Sequence, residues 1–355
     1  MGCAPAVMRN TRYFILLCVF AYKMRLCLSN TRSHDAVAPS TQKMARDPTG
    51  NHVWSRPLEA LEVEYREMAA WYDSFWASYL NQTLERPLNR VLSYLEKIQA
   101  NNTGESPSNQ EESILNSGNL PSSQHYRRGI DISVLDLGCG TGEWLYRLHC
   151  RIHGEQVETA RRTRGPYQMK FSLYGVEPST EMLREARKTF EDMSTAEKQL
   201  SSPIAVQFLQ STAEQIPVND NSIEILVSTN SFHFFRDKQR AVQEIHRVVK
   251  ANGIVVVTDW CADYWIVKLY HHIIERFRWI RFPHKYPGPL STKELCDVFT
   301  SFSGGNHSLD TVNDSQGPSK AEDNGGFEIM EVKKYRIRFW ALVFWGMQTL
   351  VVRKR

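Results

Sequence analysis

Paired cysteines are missing from this sequence. Its seven cysteines, at positions 3, 18, 27, 139, 150, 261 and 296, contain no C-x-x-C pair and are odd in number. Neither a metal site nor a disulfide framework is therefore expected, and a reducing compartment is the default. A large excess of one charge is missing too, since a net charge of +4 over 355 residues does not by itself imply nucleic acid, and no such partner is expected. No internal repeat is present. Acid is absent from residues 1 to 34, which carry Arg9, Arg12, Lys23, Arg25 and Arg32 around a ten-residue apolar run from Tyr13 to Tyr22. That run falls short of the roughly 20 residues a bilayer span needs. It matches a signal h-region or a hydrophobic transit sequence, so an organelle (mitochondrion or plastid) is the expected location, and the cytoplasm otherwise. Met1-Gly2-Cys3 hints at acylation, although Ala6 stands where myristoylation wants Ser or Thr.

The most informative stretch present is Val134-Leu-Asp-Leu-Gly-Cys-Gly-Thr-Gly142. An apolar strand around Ile132 to Leu135 ends in a carboxylate, three glycines alternate, and Glu143 to Cys150 reads as a short helix. Glycine permits a tight turn and close ligand approach. A strand, a bare turn and a helix N-terminus form the nucleotide-binding corner of a doubly wound sheet. The loop lacks the Gly-Lys-Ser/Thr of a P-loop, and its third glycine comes one residue too early for a dinucleotide fingerprint, whose last position is Glu143. No Lys or Arg lies between Asp136 and Glu143. Acid rather than base flanks the turn, which suits a phosphate-free adenosine ligand carrying a sulfonium and an ammonium, S-adenosylmethionine.

Strands and helices then alternate. Phe171 to Glu177 is a second buried strand ending in an acid placed to accept ribose hydroxyls. A helix with Met182, Leu183, Ala186 and Phe190 follows Pro178. Further strands are expected at 205–209, 223–228 and 254–258, with a helix carrying Val242, Ile245 and Val249 between the last two. Two final strands are expected at 327–337 and 341–352. Polar stretches at 101–124, 151–169 and 301–326 read as a linker and two loop insertions.

The chain resembles the class I S-adenosylmethionine-dependent methyltransferases, specifically type 11 domains related to ubiquinone/menaquinone C-methyltransferases. The carrying residues are Asp136-Leu-Gly-Cys-Gly-Thr-Gly142, Gly175-Val-Glu-Pro-Ser179 with Met182-Leu183, Ala213-Glu-Gln-Ile-Pro217, Phe232-His233 with Asp237, and Glu244 to Gly253. The resemblance implies an α/β fold: a doubly wound, mostly parallel, seven-stranded Rossmann-like sheet with an N-terminal helical cap and a helical insertion after strand 5. It implies that Gly138, Cys139, Gly140 and Gly142 wrap the methionine end, that Asp136 holds that loop, that Glu177 with Pro178 meets the ribose, and that Met182 packs on adenine. Thr212, Ala213 and Glu214 would line the adenine side, where the family usually has Asp in place of Thr212. Asn230 and Tyr72 complete the expected cofactor set. The expected organisation is a targeting or disordered segment over 1–50, a helical cap over 51–100, a flexible linker over 101–130 and the methyltransferase domain over 131–355. A cofactor-binding accessory protein on the same fold, without transfer activity, is the alternative.

Methyl transfer is an in-line displacement, so the protein's main work is alignment and exclusion of water. A base is needed only where the acceptor must lose a proton. His233, beside Asn230 and Asp259, is the candidate, with a structural role as its alternative. Cys139 has no neighbouring base and reads as a small turn residue rather than a nucleophile. The expected partner is a small-molecule acceptor, apolar or amphipathic and lipid- or quinone-like; peripheral membrane contact is a further expectation, and oligomeric state is left open. Tyr65 and Tyr72 on an N-terminal helix are candidates to cover the methionine end, with ordinary packing the alternative. Trp265, Ile266, Leu269, Tyr270, Ile273, Ile274 and Phe277 form one helical stripe opposite Lys268, His271, His272, Glu275, Arg276 and Arg278. Core packing and a greasy, basic-rimmed lid are its two readings.

Overall fold

A computed structural model describes residues 45–46, 52–53, 58–103, 130–163, 169–197, 204–269, 288–302, 325–339 and 343–355. The expected N-terminal address and most of the linker and of the 301–326 insertion lie outside them. Seven strands make one sheet: β1 (Ile130–Leu137), β2 (Met169–Glu177), β3 (Ala205–Gln210), β4 (Ile223–Thr229), β5 (Val249–Trp260), β6 (Phe327–Phe339) and β7 (Val343–Lys354). Their order across the sheet is β3-β2-β1-β4-β5-β7-β6. The first five are parallel, and β7 runs antiparallel to both β5 and β6. The expected doubly wound, mostly parallel fold is the one observed.

The parallel strands are apolar on both faces because helices cover both. One layer sets Val134, Ile225 and Val256 against Leu145, Leu148 and Ile152 of α3 (Glu143–Thr163) and against the N-terminal helices α1 (Leu58–Thr83) and α2 (Glu85–Thr103). From α1 come Tyr79 and Leu80, from α2 Leu88, Val91 and Leu95, and from between them Leu84, all buried in that same cluster. The opposite layer sets Leu135, Leu226, Val255 and Val257 against Val242 and Ile245 of α5 (Lys238–Val248) and Leu295 and Phe299 of α6 (Thr292–Thr300). Helix starts are set by side chains: Asp237 accepts from Arg240 N at 2.9 Å, and Ser291 with Glu294 forms a capping box. The sheet edge at β6 is also managed, because Gln82 of α1 donates to Arg338 O and accepts from Arg338 N, both at 2.8 Å, as a neighbouring strand would.

Two local expectations are corrected. The short helix expected over Glu143 to Cys150 continues to Thr163, so much of the stretch 151–169 is helix rather than loop insertion. Its inward stripe runs through polar residues, His149 and Gln156, each 3% exposed, which hid the period. The helix after β5 begins at Trp265, yet within its described turn Ile266 and Val267 are buried while Trp265 is 61% exposed. Tyr264, lying against Gly346 of β7, sets that rotation: a Cβ on Gly346 would overlap the Tyr264 ring. Tyr270, Ile273, Ile274 and Phe277 lie outside the described residues.

Candidate functional site

β1 lies between β2 and β4, the point at which successive connections cross to opposite sides of the sheet, and the crevice beyond the strand ends there is where α/β folds hold ligands. The chain leaves β1 at Leu137 and turns through Gly138, Gly140 and Gly142, with φ of 76°, 53° and 77°. These are left-handed conformations that a side chain resists. A Cβ on Gly138 would come within 2.6 Å of Ser231, whereas one on Gly140 meets nothing within 4 Å. The backbone at Gly140 therefore borders open space. The turn is tied to β2, since Gly138 N and Cys139 N both donate to Val176 O, at 2.7 and 3.1 Å.

Glu177 closes the corner. One carboxylate oxygen accepts from Gly140 N and the other from Ser179 N, each at 3.1 Å. Burial pushes its pKa up to about 7 in spite of those two amides. Asp136 is fully buried at the end of β1, and neither of its carboxylate oxygens has a hydrogen-bond partner. The hydrogen bonds that tie the loop run to Val176 O and Glu177, and the Asp136 carboxylate makes none. Burial, and then the nearby Glu177 charge, push the Asp136 carboxyl up to about 8. Among the described residues neither acid has an ion-pair partner, both stand beside an open glycine turn, and buried polar groups of this kind call for a partner.

The helix α1 is fastened across this corner. Thr141 Oγ1 donates to Asp73 Oδ1 at 2.7 Å. Tyr79 OH donates to Asn230 Oδ1 at 2.8 Å and accepts from Trp260 Nε1 at 2.5 Å, while Asn230 Nδ2 donates to Thr83 Oγ1 at 2.9 Å. Asn230, at a positive φ of 56°, thus spends its amide on α1. Tyr72 is half-buried, and burial followed by the charges of Asp73 and Glu177 raises its phenol pKa. Tyr65 falls within α1, and its side chain lies outside the described residues. Asp73, Tyr79 and Thr83 were not singled out from sequence; the spacing of Tyr79 and Thr83, one helical turn apart, was the available signal.

Of the other candidates, Met182 is buried at the start of α4 (Thr180–Glu197), its amide donating to Ser179 Oγ at 3.3 Å. Pro178 gives its carbonyl to Gln210 Nε2 at 3.2 Å. Thr212 is half-buried and Ala213 buried beyond β3. Glu214 points away toward α5, accepting from Arg236 N and Asp237 N at 2.9 and 3.2 Å. Cys139 is buried, its thiol pKa is pushed well up by burial, and a Cβ on Gly175 would stand 2.8 Å from its sulfur. It is packing material.

His233 lies in a single 3-10 turn after β4 and is 2% exposed. Its Nδ1 sits 2.6 Å from Asp259 Oδ1, and its backbone N donates to Asp259 Oδ2 at 2.7 Å. Its ring stacks on Trp260 at 4.9 Å and 16°, and Trp260 meets Trp345 edge-on at 5.0 Å. A carboxylate at Nδ1 selects the tautomer whose Nε2 carries the basic lone pair. Among the described residues no group of three or more His, Cys, Asp or Glu could hold a metal ion.

Comparison with known proteins adds the following. Residues 130–300 match the family model described as "Methyltransferase domain". The chain is 25% identical over 130 residues to the ubiquinone/menaquinone biosynthesis C-methyltransferase UbiE of Campylobacter jejuni, which covers 37% of this chain and 45% of that protein. It is 32% identical over 137 residues to the uncharacterized methyltransferase YcgJ of Bacillus subtilis, covering 37% of this chain and 51% of the relative. The chain thus spans about half the length of these curated relatives. Among solved structures, a SAM-dependent methyltransferase from Methanosarcina mazei aligns with a TM-score of 0.41 and 15% identity over 63% of this chain and 92% of that one.

Proposed function

We propose that this protein, whose residues 130–300 match a methyltransferase-domain model and which is similar over part of its length to UbiE, binds S-adenosylmethionine at its glycine corner and methylates a small acceptor. The observation that carries the reading is the pair of buried, uncompensated carboxylates, Asp136 and Glu177, beside the open backbone of Gly140. Burial raises the pKa of both carboxyls, and a cation bound beside them would favour their charged forms. S-adenosylmethionine carries two, an ammonium and a sulfonium, and supplies an electrophilic methyl.

The residues present fit that ligand. Glu177 spends one lone pair of each oxygen on the loop amides and keeps others for ribose hydroxyls. Asp136 has both oxygens available for the ammonium. Met182 and Ala213 offer apolar surface to the adenine, and Thr212 a neutral hydrogen-bonding group. Tyr72, one residue before the Asp73 that binds Thr141 of the turn, would cover the corner from α1.

The acceptor proposed is apolar or amphipathic, of lipid or quinone type. Support comes from two sources. One is the aromatic cluster of Trp76, Tyr79, Trp260 and Trp345, packed together next to His233 and Asn230, since ligand pockets are mostly apolar with a few placed polar groups. The other is the naming of relatives for quinone chemistry, UbiE and the 2-phytyl-1,4-naphtoquinone methyltransferase of Nostoc punctiforme. His233, buried and oriented by Asp259, takes the acceptor's proton where one must leave. The acid-free N-terminal segment directs the protein to an organelle. The test supplies the protein with methyl-labelled S-adenosylmethionine and apolar extracts. Label recovered in a lipid or quinone fraction, with S-adenosylhomocysteine formed, is the expected result; label recovered only in hydrophilic products refutes the acceptor class, and none at all refutes transfer.

A further inference from the structure

We infer that the turn Tyr264–Leu269, together with the outer face of β6, docks this protein on an anionic lipid surface. The first turn of the helix after β5 presents Trp265 at 61% and Leu269 at 38% exposure, with Lys268 exposed between them. Isolated exposed leucines are ordinary, but a Trp and a Leu on one exposed turn beside cations are the composition of an interfacial segment. The cations come from β6. Lys334, Arg336 and Arg338 alternate along the strand and are all exposed, so they share its outer face. Contacts join them to the turn: Arg336 lies 5.5 Å from the Tyr264 ring centroid, and Lys334 Nζ is 3.3 Å from Asp263, immediately before that ring.

Among the described residues two acids stand near this patch, Asp263 and Glu294. Asp263 accepts from Thr292 Oγ1 at 2.7 Å and pairs with Lys334, and Glu294 is occupied in its capping box with Ser291. Four cations against two acids leave the patch positive. Its position gives it a purpose. β6 runs in the same direction as β5, both being antiparallel to β7, so the ends bearing Arg336 and Arg338 lie on the side of the sheet where β1, β4 and β5 deliver the glycine corner and His233. A bilayer under this patch would put an acceptor dissolved in lipid beside the pocket. That advantage rests on the proposed apolar acceptor; docking itself does not.

Co-sedimentation of the full chain with phosphatidylcholine vesicles, with and without phosphatidylserine, tests the inference. Binding is expected only with phosphatidylserine and weakens as salt is added. Lys268→Gln and Arg336→Gln should each lower partitioning about fivefold, the equivalent of ~1 kcal/mol per cation near an anionic surface. Trp265→Ala should lower it about tenfold through lost apolar burial. The N-terminal segment is identical in every variant, so these differences report the patch alone, and unchanged melting temperatures check the fold. Absence of binding overturns the inference, as does binding that all three variants leave intact. Self-association abolished by Trp265→Ala would overturn it in favour of a protein partner. S-adenosylhomocysteine binding, measured separately, fails only if the cofactor reading fails.

Discussion

Asp136→Asn should make the cofactor-free protein more stable and its cofactor binding weaker. The carboxyl is fully buried with no hydrogen-bond partner and titrates near 8, against 3.8 for an ordinary Asp. A raised acid pKa costs stability from the unfolded value upward: below about 4 both states hold the proton, and between there and about 8 only the folded state does. At pH 7 the gap is about 3 pH units, which at 1.36 kcal/mol each is about 4 kcal/mol of destabilisation. Asn has the same shape and no ionisation, and its unpartnered amide replaces an equally unpartnered acid. The variant should therefore gain roughly 2–4 kcal/mol at pH 7, gain nothing near pH 4, and gain no more above about pH 8. Loss of a charged partner for the ammonium should cost ~1.5–3 kcal/mol of binding, a tenfold or greater rise in Kd. Denaturant unfolding across this pH range, with calorimetry of S-adenosylhomocysteine, measures both effects. A variant less stable than wild type at pH 7 would show that the fold already neutralises Asp136, and the argument for a cationic ligand would collapse.

Wild-type affinity for S-adenosylmethionine should itself rise with pH between about 6 and 8.5, as Glu177 and Asp136 give up the protons that the ligand's charge displaces; a flat profile would contradict this. Thr212→Asp should tighten binding by on the order of 1 kcal/mol through a charge-assisted bond to the adenine amino group, and calorimetry showing weaker binding would place that amino group elsewhere. His233→Gln should lower kcat for a proton-losing acceptor and leave cofactor affinity unchanged, whereas a shared loss of cofactor binding and thermal stability would mark the dyad as structural. A fluorescent fusion of the intact chain should localise to an organelle and become diffuse on removal of residues 1 to about 45, and a diffuse intact fusion would refute the address.

Much of the fold was legible because it is written in strong local signals. The strands β1, β2 and β4 end at or beside Gly138, Glu177 and Asn230, and Asp136, Glu177 and the alternating glycines mark their own positions by chemistry. Where polar residues occupy buried positions the pattern failed. His149 and Gln156 broke the apolar period of α3, so its second half looked like a loop. Side-chain partners across long separations were likewise invisible: no local rule tells that Asn230 would bond to Thr83 and Tyr79, 147 and 151 residues away. The outward rotation of Trp265 depends on Tyr264 meeting Gly346 of β7, a contact that helical periodicity cannot encode.

The central claim is that the corner at Gly138 to Gly142 is built for S-adenosylmethionine, and calorimetric titration of the whole protein with S-adenosylhomocysteine tests it most directly. One saturable site is predicted, lost in Gly140→Val, where a branched side chain at positive φ would fill the open space against which the ligand lies. NAD should not displace the ligand. Binding that survives Gly140→Val and Glu177→Ala, or that NAD competes away, would contradict the account.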